Sequence, residues 1–319
     1  MTATTTRAVT QPARTEPHRP LLVLAVVMAI GAALAAAGLL LDPRELGGQP
    51  VWAKPLKFCL SIALYALTLA WLIALLPQRR RLAHVLGSIA VAGLVIEMVI
   101  IGGAAAVGVA SHFNVSTPLH TALWSAMAGS IVVVWLVTLV LAVLLARVAL
   151  RDRALTLAVR AGLVIGLIGM ALAFLMTGPT AGQLADYQGV AGAHAVGVDD
   201  GGPGLPLLGW STTGGDLRIP HFVGMHALQG LPLLAILLDR LSSRVPALRD
   251  VRTRLRLVAV ASAAWASVVA LTCWQALRGQ SIVAPDGTTL AVGVALTAVL
   301  VTAAVGTIAA APRTVRAAR

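Results

Sequence analysis

The stretch Gly215–Gly230, GDLRIPHFVGMHALQG, puts an acid, an arginine, two histidines and a glutamine where an apolar segment begins. Histidine is a ligand for copper and for haem iron, and arginine is suited to carboxylate or phosphate. His221 and His226 are five residues apart, about 140° around a helix at about 100° per residue, so one regular helix does not bring both onto one ion. His221 shares a face with Met225 instead, a nitrogen/sulfur pair that suits copper, and His226 shares one with Phe222 and Gln229. Further ligands must come from other elements. His112 and His120, in SHFNVSTPLH (111–120), fall at the same end of the predicted bundle. The candidate ligand set is therefore His112, His120, His221, Met225 and His226, with haem b or copper as the cofactor. The competing expectation is that each histidine only hydrogen-bonds a neighbouring helix. Asp216 is a candidate N-cap, Gly224 and Gly230 allow close helix packing, and Pro232 is a possible kink.

The basic residues form a second pattern. Only two of the 24 basic residues are lysines, Lys54 and Lys57, and both fall on the predicted outer face with Arg218 and Arg278. Prolines 55, 118, 220 and 285 stand near the starts of the inward-running helices, where a first turn tolerates them. Helix N-termini and four cations would make a basin for an anion: haem propionates, a carboxylate substrate or a lipid headgroup. Trp210, Asn114 and Gln229 supply further polar groups for such a cofactor. Pairing with Asp42, Glu45, Asp216 and Asp286, or contact with lipid phosphate, is the plainer use of these cations. Glu97 is the one acid deep inside a predicted helix. Intramembrane acids mark proton or ion pathways, so Glu97 and His226 are candidate proton-relay groups, with a structural hydrogen bond as the alternative.

The elements that must carry these residues are membrane helices. The chain has 319 residues, of which 58% are hydrophobic and 11% charged; a soluble domain carries about 25% charged residues. Apolar runs long enough to cross a bilayer predict helices over 21–41, 56–76, 82–108, 120–146, 155–177, 221–238, 256–276 and 288–310. The expected fold class is an all-α polytopic bundle of about eight helices, one domain over 20–312 between polar tails at 1–19 and 313–319. Of the 24 basic residues, 19 fall on the side of the termini and five on the other. The positive-inside bias then sets both termini in the cytoplasm of a bacterial inner membrane. The net charge of +12 is spread between apolar runs rather than gathered in one patch, which argues against nucleic acid. The first helix is expected to be a retained anchor, because its apolar run is long for a signal peptide. Two cysteines, Cys59 and Cys273, are expected as free thiols.

The connection over 178–220 is long and glycine-rich, a lid or a structureless loop, within which LPLLGW could pack back on the bundle. Two parallel four-helix halves are a possible organisation. No Walker motif, GxGxxG, HExxH, CxxC or CxxCH is present. SHFN together with GDLRxPHFxGxHAxQ resembles an uncharacterised family of multi-pass bacterial membrane proteins, and that resemblance implies no activity. The architecture is also similar to haem A synthase, whose histidines pair on the second and fourth and on the sixth and eighth helices. Here the second and eighth helices carry none, so no site is transferred. Three functions follow as expectations: a redox-cofactor or metal-binding protein; a proton-coupled transporter or lipid-handling protein for an anion; or a structural or regulatory component. The bilayer is the expected partner, with an anionic small molecule or headgroup beside it.

Overall fold

The computed structural model describes residues 17–150 and 152–312. The tails expected over 1–19 and 313–319 lie outside them, save 17–19. Eight helices are long and apolar enough to cross a membrane. They are α1 (Arg19–Leu41), α2 (Ala53–Ala74), α3 (Arg80–Val107), α4 (Pro118–Ala146), α5 (Arg153–Ala171, extended by a 3-10 turn over Leu172–Met176), α7 (Arg218–Leu241), α8 (Val251–Leu277) and α9 (Gly287–Ala309). A one-turn helix, α6 (Ala181–Ala185), lies in the long connection. The chain is a multi-pass membrane protein. An even number of crossings puts the start of α1 and the end of α9 on one face, the terminal face; the opposite one is the loop face.

Five of the eight long helices start where a side chain accepts a free N–H of the first turn. Asp152, Asp250 and Asp286 accept backbone N–H bonds at the starts of α5, α8 and α9, and Thr117 does so for α4. His18 caps α1: its Nδ1 accepts from the Leu21 N–H, so its Nε2 is the protonated nitrogen and donates to the His84 carbonyl at 2.9 Å. Asp216 is not the N-cap of α7. That residue is Leu217, without a side-chain cap bond, while the Asp216 carboxylate accepts the Arg218 N–H from one residue further out. α7 continues through Pro232.

The helices group into two sets of four. α1, α2, α3 and α4 pack among themselves, as do α5, α7, α8 and α9, and α4 against α5 joins the sets. Small residues set the closest approach. A Cβ on Gly169 of α5 would lie 2.4 Å from the Gly224 carbonyl carbon on α7, and a Cβ on Gly230 would enter the Trp265 ring on α8. In lipid such backbone proximity, rather than expulsion of water, holds helices together. α9 touches the rest mainly through α8, and none of its apolar window is buried.

At the terminal face Arg254, 6% exposed, joins three elements. Its guanidinium reaches Asp152 at 2.8 Å, Asp239 at 3.2 Å and the Leu248 carbonyl. Arg254→Met is expected to destabilise the protein by about 2 kcal/mol. That is below the roughly 3–5 kcal/mol of a fully buried pair, because both carboxylates keep some solvent. The thermal midpoint in detergent reads it.

Candidate functional site

Four connections meet on the loop face, α1 to α2, α3 to α4, α5 to α7 and α8 to α9. Between α3 and α4, SHFN makes a tight reversal in which Phe113 takes a left-handed backbone, φ 62°. That conformation costs a non-glycine residue about 1–2 kcal/mol. It is held by the Phe113 carbonyl accepting from Ala191 N–H at 2.9 Å and by the ring packing on Trp124 and His194. The reversal turns His112 inward, among Phe58, Phe113 and Trp124.

The long connection is ordered over the helix ends. α6 carries a capping box from Thr180 and Gln183. Two short strands, β1 (Ala195–Val196) and β2 (Gly215–Asp216), pair antiparallel within it. LPLLGW does pack on the bundle: the Leu208 carbonyl accepts from Lys57 Nζ at 2.9 Å, and the Gly209 carbonyl accepts from Arg218. His194 and Asp200 close the turn between them, with Nδ1 2.7 Å from the carboxylate and two backbone N–H groups donating to it. Burial, against the pull of Asp200, holds His194 below the usual histidine range. Burial pushes the Asp200 carboxyl up, but the His194 bond and the backbone donors outweigh it and hold it well below the usual range. The pair is therefore a hydrogen bond from a neutral imidazole to a carboxylate.

Two of the four candidate cations pair with acids, and a third, Lys57, bonds a backbone carbonyl. Arg218 grips the fully buried Asp216 through Nε and Nη2. Arg278 pairs with Asp286 at 2.6 Å and stacks on Trp274, and the same bond is the main cause holding Asp286 well below the carboxylate range. Arg44, outside the candidate set, pairs with Asp42, which also accepts from Trp52 Nε1. Lys57 is committed to the Leu208 carbonyl. Lys54 alone of the candidate cations makes no hydrogen bond or ion pair among the described residues. Its ammonium lies 6.0 Å from the Phe58 ring centre, at the limit of a cation–π contact. Its charge acts on Glu97, Asp200, His112 and His194.

Glu97, on α3, is 2% exposed. One oxygen lies 3.6 Å from His112 Nε2, too far for a hydrogen bond, and the other has no partner among the described residues. On the other side of the ring, His112 Nδ1 is 3.2 Å from Ser111 Oγ. The imidazole thus stands between a hydroxyl and a buried carboxyl. Burial first, then the positive charge of Lys54, then His194, hold His112 well below its usual range. It is neutral at ordinary pH.

The remaining candidates have other partners. His120 Nδ1 faces Ser116 and Thr117 in its own turn. His221 Nδ1 donates to the Gly169 carbonyl at 2.8 Å, a bond between α7 and α5. His226 lies 3.3 Å from Gln229 and against Phe222, which in turn meets Trp210. No bond joins Met225 to His221 as the i,i+4 pair. Asn114 shapes its own reversal, accepting from Ser116 and donating to Ala110. Among the described residues no three His, Cys, Asp or Glu side chains come together as a metal-ion group, and both cysteines are free.

The structure therefore brings Lys54, Glu97 and His112 together with His194 and Asp200, two residues that sequence reasoning missed. The signal for His194 was faint: one histidine six residues before an acid in a loop without periodicity. No protein-family model matches the chain, and neither a characterised protein nor a solved structure matches it.

Proposed function

We propose that the protein is a proton-linked membrane carrier of small anions, with its site on the loop face beneath the long connection. Lys54 is the anion contact, Glu97 takes up and releases the proton, and His112 relays it between Glu97 and the loop face. Glu97 carries the reading. A carboxyl 2% exposed with one oxygen unpartnered among the described residues is costly, and such groups inside membranes mark proton pathways. The uncommitted Lys54 ammonium beside it supplies the charge an anion needs. The bias of basic residues supports a bacterial cytoplasmic membrane with both termini inside and the site outside.

Trp124, with its ring centre 5.3 Å from that of His112, is a built-in reporter. Its signal is isolated as the difference between the wild type and Trp124→Phe. Millimolar phosphate, acetate or succinate at fixed ionic strength is expected to give a saturable change, for at least one of them, that Lys54→Met abolishes. No saturable response to any of the three would sink the reading. The same preparation is expected to lack a Soret band and stoichiometric copper or iron. Either one would favour a cofactor protein built on His226 or His221, the first of the functions the sequence suggests.

A further inference from the structure

We infer that the terminal face carries a site for an anionic phospholipid at the junction of α4 and α5, with Arg153 and Arg160 as its phosphate contacts and Arg147 at its edge. Arg153 and Arg160 are seven residues apart on α5, about 20° short of two full turns, and both are exposed. Arg160 is about 10 Å further into the helix than Arg153 at 1.5 Å per residue. An exposed guanidinium at that depth is expensive in hydrocarbon and must reach toward the headgroups.

Arg160 reaches sideways. Its Nη2 donates to the Val148 carbonyl at 3.2 Å, just past the end of α4, which brings it beside the turn that carries Arg147. Among the described residues that is its one hydrogen bond, which leaves its other donors for a ligand. No carboxylate pairs with Arg147, Arg153 or Arg160 among the described residues. Asp152, the one acid at this junction, is held by Arg254 and by the first turn of α5. No ion pair joins any of these three cations to Asp152 among the described residues.

The surface leading away from them is apolar. On α5 the face of Arg153 and Arg160 continues through Val164 and Ile168, 57% and 52% exposed. On α4 the face of Arg147 continues through Val143 and Val140, 47% and 39% exposed. A free phosphate would use the guanidiniums and leave these stripes idle. A phospholipid uses both, headgroup on the arginines and acyl chains along the valines and isoleucine. A net anionic headgroup is required, because a zwitterionic one brings its own cation to a site that already has three. Basic clefts between helices at a membrane face are suited to such lipids.

The test is native mass spectrometry of the purified full-length protein in mild detergent, with phosphatidylglycerol and phosphatidylcholine added in equal amounts. The wild type is expected to retain phosphatidylglycerol at least about five-fold over phosphatidylcholine, by analogy with about 1 kcal/mol per basic residue near an anionic surface. Arg153→Gln/Arg160→Gln is expected to lose that preference. Arg252→Gln/Arg256→Gln, which removes two exposed arginines from the start of α8, is expected to keep it. If the first double variant is not recovered folded, Arg160→Gln alone is expected to cut the preference at least about three-fold. A wild type without preference, a preference that survives loss of Arg160, or an equal loss in the α8 variant would each overturn the inference. The last result would mean diffuse attraction to the whole basic face.

Discussion

Gly169→Val is expected to prevent recovery of folded, monodisperse protein, while Gly103→Val is expected to be recovered like the wild type. Both glycines lie in the same half of a long apolar helix toward the loop face, so hydropathy does not separate them. Their surroundings do. A Cβ on Gly169 would sit 2.4 Å from both the Gly224 carbonyl carbon and the Met225 nitrogen, and a Cβ on Gly224 would meet Gly169 Cα at 2.5 Å. These are backbone atoms, so no side chain can turn aside. A Cβ on Gly103 meets nothing within 4 Å. Overpacking a core costs about 1–3 kcal/mol when neighbours can shift; here two helices must separate, which places the cost at or above the top of that range. The same separation would break the bond from His221 to the Gly169 carbonyl and move the start of α7, with Arg218 and Asp216, off the loop face. Size-exclusion profiles and the thermal midpoint in detergent check it. A normal midpoint for Gly169→Val would show that α5 and α7 do not approach as closely as described.

The eight spans were legible because lipid demands long apolar helices and the chain supplies them with few alternatives. Their ends were legible to within a few residues, least well at α8, which begins at Val251 rather than 256, and two of the shortfalls have a local cause. α2 begins at Ala53 rather than 56 and α7 at Arg218 rather than 221, because Pro55 and Pro220 sit inside first turns instead of before them. The pairing of Arg218 with Asp216 and of Arg278 with Asp286 was also within reach, since the partners are two and eight residues apart. Lys54 and Lys57 have no acid so close in the chain, so the sequence does not separate Lys57, bonded to the Leu208 carbonyl, from Lys54. The contacts of the histidines were not legible. His112 meets Glu97 and His221 meets Gly169 through the order of helices in the bundle, which a single sequence does not encode locally. His194 was hidden for a different reason: its place is fixed by Asp200, Phe113 and loop backbone, where neither helical nor strand periodicity marks an inward-facing position. His18 did leave a sign, a histidine two residues before Pro20 at a helix start, where a side-chain acceptor is needed.

Lys54→Met is expected to move the pH midpoint of the Trp124 signal upward, and His112→Gln to remove the transition. The argument rests on what holds His112 neutral. Burial comes first, the Lys54 charge second and His194 third. Removing the ammonium deletes the second cause and leaves the first, so the midpoint rises yet stays below the ordinary value of 6.5. His194→Gln acts on the third cause alone and is expected to shift it less, in the same direction. The stability of the protein follows with a definite sign. Between the folded value of His112 and 6.5 the unfolded chain binds more protons than the folded one. Stability is therefore whole above that window and declines as the pH falls through it. His194, also held below 6.5, adds to the decline. His112→Gln should flatten the dependence of the thermal midpoint on pH, and His112→Gln/His194→Gln should flatten it further. Lys54→Met narrows the window and reduces the loss on acidification, even though it removes a charge that touches no carboxylate. An unchanged or lowered midpoint in Lys54→Met would mean that the ammonium does not face His112. It would also take away the charge on which anion binding beside Glu97 depends.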